Sequence, residues 1–337
     1  MIFPGSTEPL ATAYDVALLD LDGVVYLSGA PTPGAGEALV KATGMGMRLA
    51  YVTNNASRTP AAIAAQIASM GVPAAPADVV TSAQAAARLL RERLPAGAPV
   101  LVVGGMGLRT AVRERGLRPV TDAREHPAAV VQGYTPDLSY GQLAEAGLAL
   151  RAGAWYVATN GDTTLPSPRG RQPGNGSLIQ VLVTATGCRP VVAGKPEPPL
   201  HTEAVSRTQA RRPLVVGDRL DTDIESATRT GTDSLLVLTG VTDPLEAVLA
   251  TPQHRPTYIA GDLTGLLVPH PAVTSNDGSF SCGGWHVRCQ PTGRLAVSGS
   301  GDRLDGLRAV CAVAWSAPGD AAVTGDAAAG ALSAVGF

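Results

Sequence analysis

Aromatic residues supply only 4% of the 337-residue chain, with three Phe and three Trp, so the interior must be built from Ala, Val and Leu. Charge is also sparse, at 16%. The 26 basic residues face 28 acidic ones, a formal net charge of −2, which excludes the strongly basic surface of a general nucleic-acid binder. Long hydrophobic runs are missing too. No stretch approaches the ~18 uninterrupted apolar residues of a membrane span, so no membrane partner is expected. The opening Met1-Ile2-Phe3-Pro4-Gly5 lacks the basic-then-apolar order of a signal peptide. Cys188, Cys282, Cys289 and Cys311 form no CxxC pair, which implies reduced thiols in a cytoplasm rather than a disulfide scaffold.

What is present is a 45% hydrophobic chain long enough for two domains and an appendage. Short β-rich runs recur at Val16–Leu19, Leu49–Val52, Val100–Val103, Ala129–Val131, Tyr156–Ala158, Val191–Ala193, Leu214–Val216, Leu235–Leu238 and Tyr258–Ala260. Helical patterns lie between them, at Pro60–Met70, Ser82–Arg93, Tyr140–Ala152, Leu178–Thr186 and Glu197–Ala210. The alternation predicts an α/β fold, a doubly wound and mostly parallel sheet covered on both faces. After Pro269 the pattern changes. A hairpin is expected over Trp285–Gln290 and Leu295–Ser298, then a helix over Leu304–Trp315, while Ala317–Phe337 carries little signal.

In open α/β sheets ligands sit beyond the carboxyl ends of the strands, so those ends are the place to look for chemistry. Asp20-Leu21-Asp22-Gly23 follows the first run and sets two carboxylates on one face. It is either an acidic turn or a pair that needs a cation, and a hard ion such as Mg²⁺ answers that need. Asp218 follows Gly217, and Asp223 stands at the start of a helix, where an acid also complements the dipole. Thr53-Asn54-Asn55 offers a hydroxyl and backbone N–H groups for an anion, or else an Asx turn leading to Pro60. Lys195 lies between Gly194 and Pro196; alone it reads as an ordinary exposed lysine.

Taken together, two acids, an anion-binding hydroxyl, a lysine and a further acid meet the needs of phosphoryl transfer through a carboxylate nucleophile. Their order resembles the haloacid dehalogenase superfamily of phosphatases over about residues 12–268. Asp22-Gly23-Val24-Val25-Tyr26, Val52-Thr53-Asn54-Asn55-Ala56-Ser57 and Gly217-Asp218-Arg219-Leu220-Asp221-Thr222-Asp223-Ile224 are similar to the group with 4-nitrophenyl phosphatase, phosphoglycolate phosphatase, pyridoxal phosphatase and the NagD nucleotidase. The resemblance implies a catalytic core formed by 1–81 and 187–268, an inserted α/β cap at 82–186, and an appendage at 269–337. It implies that Asp20 is the nucleophile and Asp22 the general acid–base, a double role that needs a raised pKa. Mg²⁺ would be held by Asp20, the Asp22 carbonyl and Asp218. Thr53, Asn54, Asn55 and Lys195 would bind phosphate, with Gly23 and Asp223 in support.

The implied substrate is a small phosphate monoester. Glycerol 3-phosphate, 2-phosphoglycolate, nucleoside monophosphates and pyridoxal 5′-phosphate are the candidates. The cap loop Asn160–Arg171, with Asn160, Asp162 and Arg169, offers polar groups but no ring to stack on a base, which favours glycerol 3-phosphate or 2-phosphoglycolate. A nucleotidase is the alternative, a phosphate sensor the non-enzymatic one, and a homodimer stays open. Gly104-Gly105-Met106-Gly107 lacks dinucleotide-loop spacing and reads as a tight turn. Cys282, His286 and Cys289 lack a fourth zinc ligand. The tail resembles a fragment of an acyltransferase and is expected to be a structural appendage.

Overall fold

The computed structural model of the chain describes residues 3–27, 29–165, 167, 169–316 and 323–337. Met1 and Ile2 of the N-terminal reading, Pro166 and Pro168 of the cap loop, and 317–322 at the head of the tail lie outside them. The chain divides into two compact units, 1–49 with 211–337, and 50–210.

In the first unit, parallel strands run in the order Tyr258–Ala260, Asp233–Val237, Pro213–Gly217, Val16–Leu19, with Val16 opposite Pro213 and Leu214 opposite Asp233. Every residue of Val16–Leu19 is buried, as a continuous apolar run in a doubly covered sheet requires. The C-terminal part is antiparallel: Thr274–Asn276, Ser279–Cys282, Trp285–Cys289 and Leu295–Gly299, followed by helices Arg303–Ser316 and Gly325–Val335. Along Trp285–Cys289 burial alternates: Trp285 and Val287 face inward while His286 and Arg288 face water. The expected hairpin and helix are there. The appendage packs on the core. Leu307, Val310, Cys311 and Trp315 share one core with Ile224, Leu236, Val248 and Ile259 of the parallel-sheet region, and Phe3 stacks on Trp315 at 4.9 Å.

The second unit carries a five-stranded parallel sheet, ordered Val191–Val192, Trp155–Ala158, Ala129–Gln132, Pro99–Val103, Arg118–Val120. Helices Ser82–Arg93, Met106–Glu114, Tyr140–Arg151 and Asn175–Thr186 accompany it. Val191–Val192 lies in the span that the sequence assigns to the core half, yet it is the edge strand of this sheet, Val191 opposite Val157. A two-residue strand carries no pattern saying which sheet it joins. The glycines at 104–107 are more than a turn: Gly105 precedes the helix Met106–Glu114, and the Gly107 N–H donates to the Ser57 carbonyl at 2.9 Å. A Cβ at Gly107 would stand 2.3 Å from the Arg58 carbonyl, so close backbone approach explains that glycine. Helix Pro198–Thr208 is pinned by buried Glu203, which accepts from Arg115 at 2.5 Å and Arg207 at 2.7 Å and pairs with Arg88 at 3.5 Å.

All four cysteines are free thiols. Among the described residues no helix is long and apolar enough to cross a membrane.

Candidate active site

In the first unit, Asp20 follows the buried strand Val16–Leu19, its N–H donating to the Val216 carbonyl at 2.8 Å. The chain then turns through Gly23, whose φ of +84° favours glycine. Asp218 follows Pro213–Gly217 and is buried; its Oδ2 accepts the Val241 N–H at 2.7 Å. Asp223, also buried, lies in the wide helical turn Leu220–Ile224 that leads into Glu225–Thr230, as its sequence position predicts. Its Oδ2 accepts the Arg219 N–H at 3.3 Å.

One carboxylate oxygen from each of Asp20, Asp218 and Asp223 lies within 4.8 Å of the other two. Glycines make room for them. A Cβ would stand 2.3 Å from Asp218 Oδ2 at Gly23, 2.0 Å from it at Gly240, and 2.2 Å from the Asp223 Cβ at Gly217. Three carboxylates this close repel one another unless a proton or a cation intervenes. Their hard oxygens suit Mg²⁺, so the donor set fits that ion. The exposed Asp22 carboxylate is not part of the cluster. Among the described residues no other trio of His, Cys, Asp or Glu side chains converges this way, Cys282, His286 and Cys289 included.

In the second unit the remaining predicted residues form a hydrogen-bonded web. Thr53, buried at the end of Arg48–Thr53, accepts the Asn55 N–H at 3.1 Å. Asn55 makes the Asx turn: its Oδ1 accepts from the backbone of Ser57 at 3.1 Å and of Arg58 at 3.2 Å. Lys195 is buried, not an ordinary surface lysine, and its Nζ donates to the Val52 carbonyl at 3.0 Å. The Asn54 carboxamide spans Lys195 and Asp162, and Asn160 donates to the Asn54 carbonyl at 2.8 Å. Arg169 stands exposed between the short paired strands Thr164–Leu165 and Gln172–Pro173 and takes no part in this web. Ser82 and Asn175 escaped sequence reasoning. The Ser82 hydroxyl donates to the Asn54 carbonyl at 2.7 Å, and the buried Asn175 amide donates to the Asn160 carbonyl at 2.8 Å. The Gly174-Asn175-Gly176 run was the available signal: Cβ atoms on those glycines would stand 2.3 Å from the Asp162 carbonyl oxygen and 2.2 Å from that of Gly161.

Residues 17–118 match the model of a haloacid dehalogenase-like hydrolase, and 192–266 match a HAD-hydrolase-like model. The chain is 51% identical over 259 residues to the D-glycerol 3-phosphate phosphatase of Mycobacterium tuberculosis, covering 77% of this chain and 72% of that one. The chain belongs to the haloacid dehalogenase-like hydrolases. The acid sugar phosphatase of Staphylococcus aureus, a further relative, is 39% identical over 255 residues, 74% of this chain and 95% of that one. The crystal structure of a Mycobacterium tuberculosis glycerol phosphate phosphatase in complex with magnesium superposes with a TM-score of 0.82 at 46% identity, covering 91% and 92% of the two chains. In this hydrolase, Asp20, Asp22 and Thr53–Asn55 fall within the first matched segment, and Lys195, Asp218 and Asp223 within the second. Residues 282–337 match a GCN5-related N-acetyltransferase-like domain, in line with the acyltransferase resemblance of the tail.

Proposed function

We propose that this hydrolase is a Mg²⁺-dependent phosphatase acting on glycerol 3-phosphate, with 2-phosphoglycolate as the next substrate. The convergence of Asp20, Asp218 and Asp223 carries the reaction class, and the likeness to the glycerol 3-phosphate phosphatase supports the substrate.

Asp20 attacks phosphorus and carries an aspartyl-phosphate. Asp22, exposed and outside the carboxylate cluster, gives its proton to the leaving alkoxide and then takes one from the hydrolytic water, a role worth roughly 10²–10⁴-fold. Thr53 and Lys195 bind the non-bridging oxygens, and Asn55 shapes the turn beside Thr53. Asp20, the Asp22 carbonyl and Asp218 would hold Mg²⁺, which offsets the repulsion between a carboxylate and a phosphate. Asp223 supports the ion's ligands. Residues 82–186 act as the cap, with Asn160 and Asp162 reading the leaving group. The reading includes a cytoplasmic enzyme, consistent with four free thiols.

The test is kcat/KM for glycerol 3-phosphate, 2-phosphoglycolate, uridine monophosphate and adenosine monophosphate at one pH and one Mg²⁺ concentration. Two or three hydrogen bonds to leaving-group hydroxyls give about a tenfold to several-hundredfold preference for the small esters. A nucleotide in first place overturns the substrate assignment.

A further inference from the structure

The side-chain amide and the backbone carbonyl of Asn54 are committed within the protein. Its Oδ1 accepts the Lys195 N–H at 2.8 Å and its Nδ2 donates to the Lys195 carbonyl at 3.1 Å, a two-bond clamp on the lysine's backbone. The same Nδ2 donates to Asp162, 3.1 Å from Oδ2 and 3.4 Å from Oδ1. A primary amide has two N–H groups, and both are used. The Asn54 carbonyl in turn accepts from Ser82 at 2.7 Å and Asn160 at 2.8 Å. Asn160 Oδ1 accepts the Asp162 N–H at 3.2 Å, so the loop 160–162 is bonded to Asn54 at both ends. The turn before Lys195 sits directly on this residue: a Cβ at Gly194 would stand 2.5 Å from Asn54 Oδ1 and 2.6 Å from the Thr159 carbonyl oxygen.

An amide matches this place for a physical reason. The backbone of Lys195 presents a donor and an acceptor, and Asp162 presents an acceptor. A carboxylate at position 54 would lose both donors and set a like charge beside Asp162. We propose that the Asn54 side chain is a positioning group and not a phosphate ligand: it sets Lys195 through the lysine's backbone and ties that lysine to the Asn160–Asp162 loop. Phosphate affinity and choice of leaving group then depend on one side chain that has no amide hydrogen left for the substrate. The inference rests on the phosphatase reading for the roles of Lys195 and the loop.

The experiment measures calorimetric binding of inorganic phosphate with Mg²⁺ present, and kcat/KM for glycerol 3-phosphate relative to 4-nitrophenyl phosphate, whose leaving group lacks the glycerol hydroxyls. Asn54→Ala is expected to weaken phosphate about tenfold or more and to lower the ester ratio about tenfold, since a misplacement near 1 Å can cost ~10²-fold. In a Lys195→Ala background, adding Asn54→Ala should change phosphate affinity by less than about twofold, because the group it positions is gone. Should Asn54→Ala not fold, the near-isosteric Asn54→Asp replaces it under the same criteria. Asn54→Asp combined with Asp162→Asn rebuilds an amide–carboxylate pair and should recover part of the ester ratio. An equal loss of phosphate affinity with and without Lys195 would make Asn54 a direct ligand and overturn the proposal, as would both readouts staying within about twofold of the parent. If the parent cleaves no ester, the functional reading fails, while phosphate binding still decides the role of Asn54.

Discussion

The carboxylate cluster of the first unit and the donor web of the second are held by opposite means. Asp218 and Asp223 sit where glycines at 23, 217 and 240 leave no space for even a Cβ. Thr53, Asn54 and Lys195 are held by directed hydrogen bonds, many of them to the main chain. Crowding and wiring fail differently. The first side tolerates no added atom, and the second no lost donor or acceptor.

Removing metal should have the largest effect on the carboxylate side. Exhaustive chelation should take phosphatase activity to background and Mg²⁺ should restore it. Ca²⁺, which accepts more ligands, should inhibit by engaging Asp20 through both oxygens. Full turnover after chelation would break the comparison at its root. Asp20→Asn keeps shape and removes the nucleophile, so kcat should fall by on the order of 10⁴-fold or more with the unfolding midpoint unchanged; a kcat within tenfold of the parent sinks the assignment. Gly240→Ala tests crowding directly, since the added methyl must displace Asp218. About a tenfold rise in the Mg²⁺ concentration for half-maximal activity is expected, a modest ligand displacement being worth ~1.4 kcal/mol. On the donor side Thr53→Ser should keep KM and Thr53→Val should raise it about tenfold, one charge-assisted hydrogen bond being worth ~1.5–3 kcal/mol. Equal effects from the two variants would show that bulk, not the hydroxyl, matters there.

The smallest effect compares the two units through acid. Burial holds both His201, in the second unit, and His270, in the first, below the usual imidazole pKa, with Arg308 adding to the effect at His270. Each is kept neutral in the fold and takes up a proton on unfolding. Their contribution is therefore complete above the unfolded value near 6.5 and is lost as pH falls from there through the depressed folded values. Urea midpoints should be level above about pH 6.5 and decline below it. His270→Gln should flatten that decline in part, and an unchanged slope would remove His270 from the account.

The strand-end acids were legible because each follows an apolar run at a spacing that chemistry constrains. The web around Asn54 was not. Asn54 and Lys195 are 141 positions apart, and Asn54 and Asp162 are 108 apart, so no local pattern records their pairing. An asparagine in such a place looks like a donor for phosphate until its amide hydrogens are traced. Helix Gly325–Val335 hid for a different reason. Its buried stripe is Ala328, Ala331, Leu332 and Val335, proper helical spacing written mostly in small residues. The helix Met106–Glu114 hid behind glycines that serve close packing. The edge strand Val191–Val192 was visible as a strand, but its pairing with Trp155–Ala158 was not.

The burial of Lys195 has a consequence for how the molecule can be labelled. The chain contains only two lysines, Lys41 and Lys195, and Lys41 is exposed near the end of helix Ala35–Gly44. An amine-directed dye or surface linker therefore has a single side-chain address on the folded protein. The second address, buried Lys195, is far less accessible. Mass-resolved acylation of the two sites would thus compare access to the segment around Gly194 with access to the open surface, with no substitution and no substrate.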